Sequence, residues 1–303
     1  MPVVKDAVII GAGPAGIAAA IYLKRAGAEI ALFEKAKVGG LLRSANLVEN
    51  YPGFPEGISG LKLVSLFEEQ LEAMNIRPVM ERVTDIEHLK NVFRITAGCG
   101  KLCARNVLIA TGTRPIPLVL EGSDGPAGTR IFYDVNAVPK REGRALVIGG
   151  GDAAFDYALN LDGRGMDAII VSRSKPKCLK LLAQRAREER ISVAVGCTPK
   201  SVRFNGKRVE LKCASSERSR NFEGDFILVA TGRTPDTGAL DGLAKKVKVK
   251  GRGPETNLRG LYMIGDVLGG SYRQTGIAVG SGVLAAMMIE GSMRGRQRDE
   301  SRF

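Results

Sequence analysis

The sequence contains no tryptophan, a single histidine (His88) and no two cysteines spaced Cys-x-x-Cys. One histidine excludes a multi-histidine metal centre and any catalytic triad built on a second one. His88 itself is expected in a solvent-exposed loop before a strand. The five cysteines, at 99, 103, 178, 197 and 213, are odd in number and scattered. That excludes a disulfide framework and fits a reducing cytoplasm. Cys99 and Cys103, in and just after a predicted turn, have no histidine or third cysteine nearby, so no metal is expected there. A redox role for them stays open beside that of ordinary thiols. Aromatic residues make up 5% of the chain. With no nucleic-acid-binding motif, the net charge of +13 points away from nucleic acid and toward an acidic protein partner, or to no partner at all. The longest apolar run, Gly276 to Ile289, is glycine-rich and too short to span a bilayer. Met1 leads straight into a strand, so no signal peptide is expected.

Glycine, by contrast, is abundant, with 38 residues. Val8-Ile9-Ile10 runs into Gly11-Ala12-Gly13-Pro14-Ala15-Gly16, a strand followed by Gly-x-Gly-x-x-Gly and then a helix. The first glycine suits a tight turn, the second lets a backbone approach a pyrophosphate, and the third lets the helix pack closely on the strand. The helix N-terminus offers free N–H groups and a positive dipole end to that anion. A second apolar strand, Glu29 to Phe33, ends at Glu34, 23 residues past Gly11, where a carboxylate can hold a ribose diol. The pattern recurs. Leu146-Val147-Ile148 leads into Gly149-Gly150-Gly151-Asp152-Ala153-Ala154, and Ser172 stands 23 residues past Gly149. Ala110-Thr111-Gly112 is echoed by Ala230-Thr231-Gly232. Two dinucleotide sites in one chain suggest a protein that moves electrons between two nucleotide cofactors.

The expected fold is α/β, with two Rossmann-like domains. Residues 1–113 and 237–303 form one, and 114–236 is inserted into it as the other, entered through Arg114-Pro115-Ile116-Pro117. Gly60 to Met74 has helical periodicity. Val83 to Ala97 and Leu102 to Ile109 read as strands joined by a turn at 98–101. Leu240 to Lys250 is basic and weakly patterned. Gly291 to Phe303 is expected to fray.

Taken in order, Gly11 to Gly16, Glu34, Gly39-Gly40, Asn50-Tyr51-Pro52-Gly53, both Ala-Thr-Gly segments, Gly149 to Ala154, Gly265-Asp266 and Arg273-Gln274 resemble the low-molecular-weight thioredoxin reductases, a family of FAD- and NADPH-dependent flavoproteins that are usually homodimers. The resemblance covers almost the whole chain. It implies an FAD set of Gly11, Gly13, Pro14, Ala15, Gly16, Glu34, Lys35, Gly40, Leu41, Asn50, Val83, Ala110, Thr111, Gly112, Gly265, Asp266, Arg273, Gln274 and Thr275. Asn50 and Gln274 would lie near the flavin ring, and Asp266 at the ribityl chain. The helix after Gln274 would aim its N-terminus at the edge where reduction places negative charge. The nucleotide set is Gly149, Gly151, Asp152, Ala153, Ala154, Ser172, Arg173, Ser174, Lys177, Thr231 and Gly232. Where the first motif has Glu34, the second has Ser172-Arg173-Ser174-Lys175, with Lys177 beyond. A hydroxyl and cations there favour a 2′-phosphate, hence NADPH over NADH. A merely solvated basic face is the alternative.

The chain departs from the resemblance at one point. The family carries Cys-x-x-Cys just ahead of the second glycine motif, as the relay from flavin to substrate disulfide. Counted back from Gly149 without gaps, those positions are Phe132 and Val135. Neither can relay electrons through a dithiol. Phe132 or Tyr133 would either shield the flavin or serve as core. The expected function is electron transfer from NADPH through FAD to a one-electron carrier such as ferredoxin, an acidic protein that a basic chain would attract. The alternatives are a flavin-linked reductase of oxygen, quinone, free flavin or an external disulfide, a reductase drawing on Cys178, and a non-enzymatic redox sensor.

Overall fold

In the computed structural model the described residues are 4–300, except 140–141, 216–217, 241, 244–246, 252, 269 and 271; for 296–300 only the backbone is described. Part of the 240–250 stretch therefore lies outside the described residues. The chain divides into two compact units. The first comprises Met1–Arg43, Glu49–Arg114 and Thr234–Phe303, and the second Ser44–Val48 and Pro115–Arg233.

In the first unit, β1 (Val4–Ile10) leads into α1 (Pro14–Arg25) and β2 (Ile30–Phe33). Then come α2 (Gly60–Ala73), β3 (Val83–Leu89), β4 (Val92–Ala97), β5 (Gly100–Ile109) and β6 (Thr113–Pro115), through which the chain leaves. The second unit holds β7 (Ile131–Phe132), β8 (Gly143–Ile148), α3 (Asp152–Asp162), β9 (Met166–Ser172), α4 (Lys180–Glu188) and β10 (Ser192–Val195). It continues through β11 (Thr198–Phe204), β12 (Val209–Ala214), β13 (Arg220–Gly224) and β14 (Phe226–Val229). The chain returns through β15 (Arg233–Pro235) to β16 (Leu261–Met263) and α5 (Thr275–Glu300).

The first sheet has the order β2-β1-β5-β4-β3, with β16 also on β5. β1 pairs in parallel with β2 and β5, and β5 with β16, while β3, β4 and β5 form an antiparallel meander. Strands covered on both faces need no polar side, which is why Val8, Ile9 and Ile10 form an unbroken apolar run. The second unit has the parallel order β10-β9-β8-β14-β7 and a separate antiparallel sheet β11-β12-β13. Each of these two sheets places its glycine loop at the carboxyl end of a strand with parallel neighbours on both sides, where open α/β sheets bind ligands.

Three expectations are corrected. Residues 83–97 are not one strand but the hairpin β3–β4, whose tight turn at Lys90-Asn91 joins two short amphipathic runs. His88 is exposed but lies within β3, with its ring stacked on Phe93 at 4.7 Å, so it is not in a loop. Of the tail expected to fray, residues 291–300 are helical, and 301–303 lie outside the described residues. α5 continues to Glu300, with Glu290 tied to both Tyr22 and Arg294. This lengthens the apolar helix as well. Thr275–Gly295 is long and apolar enough to cross a bilayer by length and composition. Its buried face belongs to the core, where Ala278, Ala285, Ala286 and Ile289 join the α1 residues Ile17, Ala20 and Leu23.

Candidate functional site

The first glycine loop is shaped by steric need. Gly11 has φ +109°, and a Cβ there would stand 2.3 Å from the Ala110 carbonyl oxygen. A Cβ on Gly16 would stand 1.9 Å from the Gly11 oxygen, so α1 lies closer to β1 than any side chain allows. Gly13, by contrast, faces open space. It is also the N-cap of α1 and makes no side-chain capping bond; Pro14 follows it at the first helical position. Uncapped N–H groups beside open space fit an anionic pyrophosphate. The Glu34 carboxylate, 8% exposed, accepts the Ala12 N–H (2.8 Å) with one oxygen and the Ala36 N–H (2.9 Å) with the other. It is thus fixed beside the loop.

Gly40, Ala110 and Gly265 lie close to that loop, and the other residues expected to hold FAD are placed as follows. Lys35 follows Glu34 and pairs with Asp236 at 2.6 Å. Asp236 also accepts the Thr111 hydroxyl through its carbonyl (2.5 Å) and donates its N–H to the Gly112 carbonyl (2.9 Å). Burial works to raise the Asp236 carboxyl pKa, but the Lys35 hydrogen bond and charge outweigh it and hold the pKa below its ordinary value. Gly40 and Leu41 open a 3-10 turn, Gly40–Ser44. Val83 starts β3 and is buried. Ala110 N–H continues the ladder onto Ile10. Gly265 and Asp266 begin the turn after β16, and Gly265 N–H donates to Ser281 Oγ of α5 (2.8 Å). Asn50 Nδ2 donates to Gln274 Oε1 (2.7 Å), so two residues 224 positions apart meet beside Thr275, where α5 starts; Arg273 precedes them, half-buried. Asp236 and Ser281 were not foreseen. Both act through long-range contacts that leave no local pattern.

The second loop repeats the design. Gly149 has φ +153°, and a Cβ there would meet the Ala230 oxygen at 2.7 Å. Gly151 faces open space and is the N-cap of α3, again with no side-chain capping bond. Asp152 opens the helix but turns its carboxylate to the Leu179 N–H (2.8 Å), and Lys177 N–H donates to the Gly150 carbonyl (2.7 Å). The 173–179 loop is therefore latched onto the glycine loop. Ala153 is exposed and Ala154 buried, while Thr231 and Gly232 follow Ala230 at the end of β14. Ser172 behaves unlike the expectation of an available hydroxyl. It is buried, with Oγ beneath Gly150, and it donates to the Ser174 carbonyl (2.7 Å). Arg173, Ser174, Lys175 and Lys177 are exposed, and the three cations carry no ion pair among the described residues.

The remaining sequence candidates lie elsewhere. Val135 is completely buried, and Phe132 packs edge-on against Phe226 at 5.7 Å. Tyr133 accepts the Leu118 N–H on its hydroxyl (2.8 Å). These are core contacts of the second unit. All five cysteines are free, and no cluster among the described residues could hold a metal. Burial and Asp152 push the Cys178 thiol up, which makes it a poor nucleophile.

The model of the pyridine nucleotide-disulphide oxidoreductase family matches residues 5–282. The chain belongs to that family. A thioredoxin reductase of Treponema pallidum is 32% identical over 93% of this chain and 94% of its own length, and one of Mycolicibacterium smegmatis is 31% identical over 95% and 96%. The crystal structure of T. acidophilum thioredoxin reductase superposes with a TM-score of 0.86 at 28% identity, covering 95% of this chain and 98% of that one. The protein is an oxidoreductase of the thioredoxin reductase fold, with two Rossmann-like domains, that uses FAD and NADPH. The open glycine cradles and uncapped helix ends fit both cofactors.

Proposed function

We propose that this oxidoreductase passes electrons from NADPH through FAD directly to an external one-electron carrier, an acidic protein such as ferredoxin. The first unit is read as the FAD-binding domain, with Gly13, Glu34, Asn50, Asp266 and Gln274 at its centre. The second is read as the NADPH-binding domain, with Gly151, Arg173, Lys175 and Lys177. FAD, when bound, accepts a hydride from NADPH and can release electrons one at a time.

A single observation carries the reading. The chain has no Cys-x-x-Cys, and Phe132 and Val135 hold the counted positions as packed apolar residues. A net charge of +13 speeds encounter with an acidic carrier and makes it sensitive to salt. Free thiols throughout suit the cytoplasm. A homodimer is the assembly we favour, since α5 leaves Ile277, Leu284 and Met287 exposed on one stripe. A second reading, direct reduction of an external disulfide, draws on the names of the curated relatives, which are thioredoxin reductases.

The test is anaerobic reduction of the yellow protein by NADPH, followed by stepwise addition of ferredoxin, thioredoxin and air. Reoxidation by ferredoxin that slows with added salt supports the proposal. Reoxidation by thioredoxin alone favours the second reading, and rapid reoxidation only in air makes the protein an oxidase. A flavin that binds but is not bleached by NADPH would make it a sensor.

A further inference from the structure

The loop after β9 carries three exposed cations and the exposed Ser174, while the hydroxyl at the strand end, on Ser172, is buried and committed to the Ser174 carbonyl. A fourth cation reaches the same strand end from a distant element. Val195, the last residue of β10, pairs with Ser172, the last of β9. Two residues on, Cys197 N–H donates to the Ser172 carbonyl (3.0 Å). The Cys197 thiol points to the Val195 carbonyl (3.6 Å), leaving a sulfur lone pair that accepts Arg220 Nη1–H (3.3 Å). Arg220 opens β13 of the antiparallel sheet. Two consecutive hydrogen bonds thus tie its guanidinium to Ser172, the residue before Arg173.

The guanidinium is held without being neutralised. Its carbon lies 5.2 Å from the centre of the Phe222 ring, and the side chain has no carboxylate partner among the described residues. A guanidinium has five N–H donors, of which the sulfur takes one. An arginine pinned by a ring and a sulfur, exposed, and standing at the carboxyl ends of two parallel strands is pre-organised for an anion.

We infer that Arg220 is a specificity-determining residue for the 2′-phosphate of the pyridine nucleotide, acting with Arg173, Lys175 and Lys177; this rests on the reading of the β9 loop as the end of the NADPH site. The ligand class is a 2′-phosphorylated adenosine. The guanidinium supplies hydrogen bonds that the buried Ser172 hydroxyl does not.

The test is titration calorimetry of the FAD-loaded protein with 2′,5′-ADP and with 5′-AMP, which differ only in the 2′-phosphate. Arg220→Gln keeps a donor for Cys197 while removing the charge, and Arg220→Lys keeps the charge while removing the fork. Arg220→Gln should weaken 2′,5′-ADP about ten- to a hundredfold and leave 5′-AMP unchanged, with Arg220→Lys between it and wild type. Unchanged 2′,5′-ADP affinity in Arg220→Gln overturns the inference. So does equal loss of both probes, which would mark Arg220 as a strut for the Cys197–Ser172 contact. If Arg173→Ala loses the discrimination while Arg220→Gln retains it, the loop reading stands and the Arg220 role falls. If the wild type binds both probes equally, the two fall together.

Discussion

The two glycine loops share their first halves and diverge at their third glycine and at the end of the following strand. Gly11 and Gly149 each face the carbonyl of the alanine in an Ala-Thr-Gly segment, and Gly13 and Gly151 each open onto free space. Five residues past the first glycine, one loop has Gly16, where a Cβ would collide with backbone, and the other has Ala154. At the strand end, one has a carboxylate that accepts two backbone N–H groups, and the other a buried hydroxyl flanked by exposed cations. A dinucleotide cradle therefore needs only a tight first turn and a bare second position. The third position sets how closely the helix packs, and the strand end sets which ribose is accepted.

The largest effect should come from breaking the contrast at the third position. Gly16→Ala places a methyl group 1.9 Å from a backbone oxygen, so β1 and α1 must separate. Overpacking of this kind costs at least about 1–3 kcal/mol. The purified variant should be colourless by flavin absorbance, while Ala154→Gly should cost about 1 kcal/mol through helix propensity and keep its flavin.

Next comes the carboxylate. Glu34→Ala leaves the Ala12 and Ala36 N–H groups without their acceptor, about 1–3 kcal/mol for each one that stays buried. Dialysis should then release FAD from the variant and not from the wild type. Ser172→Ala loses one neutral hydrogen bond, about 0.5–1.5 kcal/mol, visible as a small drop in melting temperature.

The nucleotide preference itself is smaller and more specific. Arg173→Ala should weaken NADPH about ten- to a hundredfold and leave NADH alone, as read from the KM for each. Equal loss for both would return Arg173 to the solvated face.

A pH-dependent effect separates the two helices. Asp156, seven residues past Gly149, lies on α3, where the matching position of α1 is Ala18. Burial pushes its carboxyl from 3.8 to about 6, although the Asn46 and Leu47 N–H groups hydrogen-bond to it. A raised acid pKa means that the folded state holds more protons between those values. Stability should therefore fall as pH rises from about 4 to about 6, by about 2 kcal/mol. In chemical denaturation, Asp156→Asn should flatten that slope.

Much of this contrast is legible in the sequence because the glycine loops, the matching 23-residue offsets and the Ala-Thr-Gly echoes are local patterns with local steric causes. What stayed hidden depends on distant pairings. Ser44–Val48 groups with the second unit, and no feature of those five residues signals it. Asp236 reaching Lys35, Ser281 reaching Gly265 and Arg220 reaching Cys197 each join segments that only the folded topology brings together. The burial of the Ser172 hydroxyl beneath Gly150 has no sequence signature. The β3–β4 turn was missed because Lys90-Asn91 lacks the glycine that usually marks such hairpins.

An anaerobic NADPH titration followed by flavin absorbance shows whether a sulfur pair stores electrons beside the flavin. Bleaching should end after about one equivalent of NADPH per FAD, with no gain in titratable thiol. An endpoint near two equivalents, with two thiols appearing per flavin, would contradict the account.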